Sequence, residues 1–243
     1  CVAGKNGPGQ GNIHCTNCPR GSITAAPGKD VCDSCDAGKY ASSEGLAVCD
    51  LCAKGKYAPG GAFGCSDCTS GKYAPTTGLS TCTSCVPGKY SLNVASTCIA
   101  CAAGYYQGAK GQSNCEICPA GSFCSQGSTD HTPCPPGTHA PIAGQKDLCI
   151  DCEPGKVAKG SGNLLCTKCI AGTYQPRSRK SECIGCEQGK ASEEGKTECL
   201  TCESGKFSSS RAPACEPCRS GYYQPDPGTS ACLACPPGSF TLT

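Results

Sequence analysis

Pairs of cysteines separated by two residues recur along the chain. Their thiols are the side chains of this sequence most clearly suited to chemistry. These CxxC pairs begin at Cys15, Cys32, Cys49, Cys65, Cys82, Cys98, Cys115, Cys149, Cys166, Cys183, Cys199, Cys215 and Cys232. Thiols at this spacing are suited to tetrahedral zinc binding, to thiol–disulfide exchange at a helix start, or to structural disulfide bonds. The periodicity of the pairs discriminates between these uses.

The period of the CxxC pairs favours disulfides. Successive pairs begin 16 or 17 residues apart, except for an interval of 34 between Cys115 and Cys149. Two CxxC knuckles share each metal in a zinc ribbon, which predicts a doubled period that this chain lacks. A thioredoxin-like motif needs one CxxC within a βαβ unit and does not account for many copies. We therefore expect no metal site and no cofactor.

The composition indicates an oxidising, extracellular environment. The 243 residues include 29 Cys, 33 Gly and 19 Pro, but only 4 Phe and neither Trp nor Met. A chain with so little apolar material cannot build a large hydrophobic core, and dense cross-links replace such cores in secreted scaffolds. The formal charge of +2 gives no reason to expect nucleic acid. No apolar run in this sequence approaches the length of a membrane-spanning segment.

One pairing rule uses all but one of the cysteines. If the second cysteine of each CxxC bonds the first cysteine of the next, Cys235 alone is left over. The pairs are Cys1 with Cys15, Cys18 with Cys32, Cys35 with Cys49, Cys52 with Cys65, Cys68 with Cys82, Cys85 with Cys98, Cys101 with Cys115, Cys118 with Cys124, Cys134 with Cys149, Cys152 with Cys166, Cys169 with Cys183, Cys186 with Cys199, Cys202 with Cys215 and Cys218 with Cys232. A crossed connectivity, first with third and second with fourth, remains an alternative.

A regular spacing of glycine and aromatic residues predicts how the cysteines are positioned. Glycine stands three residues after each second cysteine, and an aromatic residue usually follows two positions later, often with Lys between them. We interpret this triplet as a short strand that opens a hairpin, with a Pro-, Gly- and Ser-rich turn before the next cysteine. The tyrosines are expected to pack on the glycine and disulfide of the next repeat. The packing residues so predicted are Gly38, Tyr40, Gly55, Tyr57, Gly71, Tyr73, Gly88 and Tyr90.

The predicted fold class is therefore small disulfide-rich repeats, an elongated solenoid-like rod of short β-hairpins with little helix and no large hydrophobic core. Residues 1–118 form tandem repeats of about 17 residues, residues 118–149 a variant repeat with the shifted Cys124, and residues 149–243 further repeats. Because Cys1 lacks the first cysteine of its CxxC and Cys235 lacks a bonding partner, both ends are expected to be cuts within a repeat.

The motif CxxCxxGxY at this period resembles the ephrin-receptor-like cysteine-rich repeats, also called GCC2/GCC3 repeats. The resemblance covers essentially the whole chain. Such repeats occur in receptor and matrix proteins and in long arrays on protist and algal surfaces, including filament proteins of flagellar hairs (mastigonemes). The resemblance therefore implies a surface or filament protein. Ile23, His139, Val157 and Ala191 depart from the motif at the aromatic position.

Catalysis is not expected, because the chain offers no cluster of acid, base and nucleophile. The only histidines are His14, His131 and His139, and no pocket-forming core is predicted around them. The lysines could bind an acidic glycan, but acidic residues of the same repeats nearly cancel their charge. Hydroxyl groups at loop tips are candidate O-glycan acceptors, namely Ser42, Ser43, Thr76 and Thr77.

Two functions fit these features. The first is an extracellular structural protein whose repeats form or decorate a surface filament through self-association or through other fibre subunits. The second is the ectodomain stalk of an adhesin or receptor. Array length and near-identical repeats favour the filament, whereas a distinctive repeat with exposed apolar residues would favour the stalk.

Overall fold

The repeats fold into short hairpins in a computed structural model, which describes residues 1–7, 9 and 14–239. Within these ranges there is no helix, and every strand is two residues long. No segment of the described chain is a helix with the length and hydropathy of a membrane span. The aromatic-position residue Phe240 lies outside the described residues.

The chain divides into two compact units. The first comprises Cys1–Glu116 and Ser125–Asp130, and the second comprises Ile117–Cys124 and His131–Thr243. Strands that begin in the first unit are β1 (Lys5–Asn6), β2 (Thr16–Asn17), β3 (Ser22–Ile23), β4 (Asp33–Ser34), β5 (Lys39–Tyr40), β6 (Asp50–Leu51), β7 (Lys56–Tyr57), β8 (Ser66–Asp67), β9 (Lys72–Tyr73), β10 (Thr83–Ser84), β11 (Lys89–Tyr90), β12 (Ile99–Ala100), β13 (Tyr105–Tyr106) and β14 (Glu116–Ile117).

The second unit continues the same succession of strands. They are β15 (Ser122–Phe123), β16 (Thr132–Pro133), β17 (Thr138–His139), β18 (Ile150–Asp151), β19 (Lys156–Val157), β20 (Thr167–Lys168), β21 (Thr173–Tyr174), β22 (Ile184–Gly185), β23 (Lys190–Ala191), β24 (Leu200–Thr201), β25 (Lys206–Phe207), β26 (Glu216–Pro217), β27 (Tyr222–Tyr223) and β28 (Leu233–Ala234). Strand pairs such as β5 with β6 and β19 with β20 are antiparallel hairpins. The predicted small disulfide-rich repeats of short hairpins are confirmed.

Each hairpin pairs the Lys-aromatic strand with the two residues inside the next CxxC. Lys39 lies opposite Leu51 and Tyr40 opposite Asp50, and the same register recurs for Lys56 and Tyr57. The glycine before the lysine has a positive φ, 88° at Gly38, which lets the chain turn tightly out of the preceding CxxC. The turn is closed by a hydrogen bond from the Lys39 amide to the Asp36 carbonyl at 3.0 Å.

The structure joins the cysteines in fourteen disulfides, and the pairs are those of the nearest-neighbour rule. Their sequence separations are 13 to 15, apart from the separation of 6 between Cys118 and Cys124. We define a regular repeat as the segment closed by one bridge of 13 to 15 residues, so that only the two residues inside a CxxC separate regular repeats. The variant repeat is the segment 118–133, which precedes the regular repeat Cys134–Cys149. The core of a regular repeat is the cysteine that opens it, which is the second cysteine of a CxxC. This cysteine is fully buried at Cys52, Cys68 and Cys85.

Candidate functional site: the joint between repeats

The joint between successive repeats is a set of backbone hydrogen bonds that recurs along each compact unit. In the first unit, the amide of Gly38 donates to the Ala58 carbonyl of the next repeat at 2.8 Å, and the amide of Ala41 donates to the Ala62 carbonyl at 3.1 Å. The loop amide of Gly61 donates back to the Cys35 carbonyl at 2.8 Å. Each repeat therefore adds to its neighbour through main-chain groups, which depend little on side-chain identity.

The same joint is present in the second compact unit. The amide of Gly172 donates to the Ser192 carbonyl at 2.7 Å, and the loop amide of Gly195 donates to the Cys169 carbonyl at 2.8 Å. The equality of these contacts in both units shows that the joint is a property of the repeat. A chain of such joints can be extended by further repeats without a change in its chemistry.

The recurring glycine contacts the repeat after the next. A Cβ atom added to Gly55 would overlap the carbonyl of Val94, and one added to Gly38 would overlap the carbonyl of Gly78. A glycine is required here both for its positive φ and for this close backbone approach. The contacts of a repeat thus reach its second neighbour, which is further than the neighbour-to-neighbour stacking that the sequence predicts.

The residue after the aromatic position is the buried side chain of the joint. Ala41 and Ala58 are fully buried, whereas Tyr40 and Tyr57 are only half-buried. Where this position holds a hydroxyl, the group is satisfied: Ser91 Oγ donates to the Lys72 carbonyl of the preceding repeat at 3.0 Å. The position lies against the disulfide, since Cys186 Sγ and Ser192 Oγ are 3.3 Å apart.

Sequence reasoning emphasised the tyrosines and missed this small residue. Tyr57 and Cys82, which belongs to the next bridge, line the same cavity. The burial of the joint nevertheless depends on the residue that follows, because a phenol hydroxyl would need a partner inside, whereas alanine needs none. The signal was available, since the residues three positions after the glycine are small or polar and none is large and apolar, as at Thr24, Ala41, Ser91, Gln107 and Cys124.

The lysines that follow the glycine are mostly neutralised by nearby acids. Lys39 Nζ lies 2.9 Å from Asp36 Oδ2, and Lys156 Nζ lies 2.9 Å from Glu153 Oε2. The hydrogen bond from Lys156, then the charge of Lys156, lower the pKa of the Glu153 carboxyl from its ordinary value of 4.5. Such exposed pairs contribute little to stability. They leave the lysine series without the unbroken positive face that a polyanion would require.

The histidines have structural neighbours. His139 Nδ1 lies 3.1 Å from the Ile150 carbonyl and 3.1 Å from Cys166 Sγ. His139, Cys152 and Cys166 would have metal-ligand spacing, but the two sulfurs are bonded to each other in a disulfide. His131 Nδ1 lies 3.2 Å from Ser122 Oγ in the variant repeat.

The candidate O-glycan acceptors lie where a transferase could reach them. Ser42, Ser43, Thr76 and Thr77 are all exposed and lie in loops between strands. None of them takes part in the joint.

Comparison with known families adds to this geometry. Residues 88–132 and 205–243 match the family model described as tyrosine-protein kinase ephrin type A/B receptor-like. These segments are ephrin-receptor-like cysteine-rich repeats. The rest of the described chain has regular bridges and short hairpins of the kind found in the two matched segments. No curated protein sequence shows significant similarity to the chain. The ephrin-receptor-like repeats and the disulfide density together point to an extracellular or cell-surface location.

Proposed function

We propose that the chain is a non-catalytic structural protein outside the cell whose repeats form or decorate a surface filament, of which mastigoneme-type flagellar hairs are one kind. The observation that carries this proposal is the joint itself. Its hydrogen bonds, from glycine and loop amides to carbonyls of the neighbouring repeat, are the same at successive repeats in both compact units. A structure built from one repeated main-chain contact is suited to mechanical extension rather than to selective catalysis.

The energetic properties of the joint support a load-resisting role. Each regular bridge closes its own loop of about 14 residues and is worth roughly 3 kcal/mol in the chain-entropy model. A strain that opens one joint leaves the bridges of the other repeats intact, so that loss of structure stays local. This property suits a fibre subunit that is bent or pulled at the cell surface.

The partners that fit this role are further copies of the chain or other fibre subunits. Exposed acids and bases alternate along the repeats, as in the pairs Lys39 with Asp36 and Lys190 with Glu187. Such a surface is suited to lateral association between like chains. O-linked sugar would make the protein a glycoprotein without disturbing the joint, because the candidate hydroxyls are exposed, namely Ser42, Ser43, Thr76 and Thr77.

A receptor or adhesin stalk is the second candidate function. It is favoured by the family match, since the matched model is named for a receptor. In that case the repeats would hold a binding domain away from the membrane and would not assemble with each other.

Electron microscopy of native, non-reduced material separates these two functions. The filament proposal predicts polymers in which the spacing of the subunits along the filament is set by the number of 17-residue repeats in each chain. The same chain, reduced and alkylated, serves as the control, because it has lost its bridges and should give no polymer. Particles that remain monomeric at every concentration would overturn the filament proposal and favour the stalk. The intact mass of the same sample tests for O-linked sugar as mass in excess of the disulfide-bonded polypeptide.

A further inference from the structure

A cavity in the second compact unit combines cationic, hydroxyl and aliphatic side chains. Its volume is about 530 Å³, within the range of roughly 300–1,000 Å³ that is typical of pockets for small organic ligands. The polar part of its lining includes Lys159, Asn163, Thr167, Glu182 and Arg211. We call this pocket the Arg211 cavity.

The position of Arg211 in the repeat is unusual. The corresponding loop residue is glycine in most repeats, for example Gly195 and Gly228, and it has a positive φ. Arg211 keeps that conformation with a φ of 60°, which is strained for a residue with a side chain. Its amide donates to the Cys186 carbonyl at 2.8 Å, which is the same joint contact that the glycines make. The guanidinium therefore occupies this place at a cost in backbone energy.

A second departure from the repeat pattern makes room for the arginine. The loop residue faces the second residue inside an earlier CxxC, as Gly195 faces Lys168 and Gly228 faces Thr201. Opposite Arg211 this residue is glycine, and a Cβ added to it would lie 2.7 Å from Arg211 Nε and 2.9 Å from Arg211 Cγ. Any other residue at position 185 would displace the Arg211 side chain. Gly185 thus leaves the space that the Arg211 side chain occupies.

Arg179 has the equivalent loop position two repeats earlier and differs from Arg211 in its charged partner. Arg179 has a φ of 59° and so has the same backbone strain. Its Nε lies 3.8 Å from Asp151 Oδ1. Asp151 is the second residue inside its CxxC, which is the position that Gly185 has opposite Arg211. The Arg179 guanidinium is thereby directed to a carboxylate of its own chain. Among the described residues, neither Arg211 nor Lys159 has a carboxylate at salt-bridge distance.

The charges of the lining favour an anionic ligand. Lys159, Lys168 and Arg211 contribute three positive charges against the one carboxylate of Glu182, while Lys168 also lies 3.7 Å from Glu194 at the surface. A guanidinium binds sulfate or carboxylate groups through two parallel hydrogen bonds. The net charge of the cavity thus matches a ligand with one or two anionic groups.

The remaining side chains favour a saccharide over a simple anion. Asn163 donates through Nδ2 to the Gly160 carbonyl at 3.0 Å, which leaves its Oδ1 for a ligand hydroxyl. The Glu182 carboxylate and the Thr167 hydroxyl can also bind hydroxyl groups. The cavity also has aliphatic surface that suits the C–H face of a sugar ring, supplied by Val157 and Ile170. We propose that the Arg211 cavity binds an acidic saccharide that carries sulfate or uronate groups, an activity separate from the filament role.

Calorimetric titration of the full disulfide-bonded chain with a sulfated, uronate-containing disaccharide derived from heparin tests the proposal. We expect saturable binding with one site per chain that weakens as the salt concentration rises. Titrations with lactose and with sodium sulfate are the two comparison arms, and both should bind at least about tenfold more weakly. Equal binding of sodium sulfate would show a simple anion site, and equal binding of lactose would show that charge is not recognised; either result would overturn the proposal.

The variant Arg211→Gly separates recognition from folding. It restores the residue that other repeats have at this position and relieves the positive φ, so the fold should be retained or stabilised. We expect a loss of affinity of about tenfold or more for the disaccharide. Arg179→Gly is the matched control, with the same change in the equivalent loop, and should leave the affinity within about twofold. Equal affinities for these two variants would refute the assignment of the cavity.

Discussion

The variant repeat and the regular repeats solve the same packing problem by different chemistry. In a regular repeat, the buried cysteine Cys52 bonds Cys65 at the far end of the loop, and Ala58 fills the space after the aromatic residue. In the variant repeat, Cys124 occupies the position of that alanine and bonds Cys118 directly. Both Ala58 and Cys124 are buried, so the joint is retained while the covalent closure moves.

The difference shows that the joint and the bridge are separable features of the repeat. The Gly121 amide of the variant repeat donates to the Ala140 carbonyl at 2.8 Å, as the glycines of regular repeats do. Moving the bridge leaves residues 125–133 outside any disulfide loop, whereas only two residues lie outside between regular repeats. His131 stands where the first cysteine of a CxxC is otherwise found and lies 3.2 Å from Ser122 Oγ.

Removal of the bridges should give the largest difference between the two kinds of repeat. The double variant Cys52→Ala with Cys65→Ala should lower the local stability of the β7–β8 hairpin by roughly 3 kcal/mol, because the bridge closes a loop of about 14 residues. The double variant Cys118→Ala with Cys124→Ala opens a much shorter loop and should cost about 2 kcal/mol. Hydrogen–deuterium exchange of the β7–β8 and β15–β16 hairpins measures both losses.

Each double variant is the control for the other, because both replace a fully buried cysteine and its partner by alanine. At position 124 alanine is also the residue of many regular repeats, so the side chain fits there. A loss in the variant repeat that equals or exceeds the loss in the regular one would contradict an account based on loop length.

Glycine replacement tests the opposite expectation, that both kinds of repeat share one joint. A Cβ at Gly55 or at Gly121 would overlap a carbonyl of the repeat after the next, that of Val94 or of Gly162. Gly55→Ala and Gly121→Ala should therefore each destabilise by about 2 to 4 kcal/mol, the sum of left-handed strain and overpacking. Thermal unfolding and local hydrogen exchange provide the measurement.

Gly160 supplies the control for this comparison. It has a φ of 67°, in the same left-handed region as the 80° of Gly55, and lies well inside the described chain, where no described atom is within 4 Å of an added Cβ. Gly160→Ala should cost only the strain of the left-handed conformation, about 1 to 2 kcal/mol. If all three replacements cost the same, the contact with the second neighbour contributes nothing and the joint is explained by φ alone.

These contrasts also show what the sequence could and could not predict. The period of the cysteines predicts the hairpins, and the pairing rule gives the bridges that the structure contains, because each depends on residues close in sequence. The contact of Gly55 with Val94 depends on how one repeat is placed on the next, which no spacing in the sequence records. The sequence does not predict the Arg211 cavity for a related reason. Neither Gly185 nor Arg211 indicates a cavity by itself, and only the structure shows that the two residues face each other.

The unbridged segment of the variant repeat should be the preferred site of proteolysis that separates the chain. No disulfide spans the peptide bond before Asp130, and Asp130 is exposed. Brief digestion of the native protein with an endoproteinase that cleaves before aspartate should release residues 1–129 and 130–243 as two bands on a non-reducing gel. Loss of structure is not needed for this cut, because local exposure suffices.

The other aspartates provide internal controls for this digestion. A cut before the exposed Asp30 lies inside the Cys18–Cys32 bridge, so its products should separate only after reduction. Asp50 lies outside a bridge but in β6, paired with Tyr40, and should be cut later. Early separation at Asp50, with Asp130 intact, would show that the regular joint is weaker than the variant repeat.

The smallest effect concerns the ion pair that begins the Cys152–Cys166 repeat. The hydrogen bond and the charge of Lys156 lower the pKa of Glu153, and His139 of the preceding Cys134–Cys149 repeat adds a weaker contribution in the same direction. Because the folded-state pKa lies below the ordinary 4.5, the contribution to stability is present above pH 4.5 and is lost as the pH falls through the lowered value. The carboxyl ¹³C shift of Glu153, followed by NMR, should titrate below 4.5 in the native protein. In Lys156→Gln the midpoint should move upward most, and in His139→Tyr only slightly. A larger movement in His139→Tyr would mean that the preceding repeat, and not the lysine of the same repeat, controls the pKa of this carboxylate.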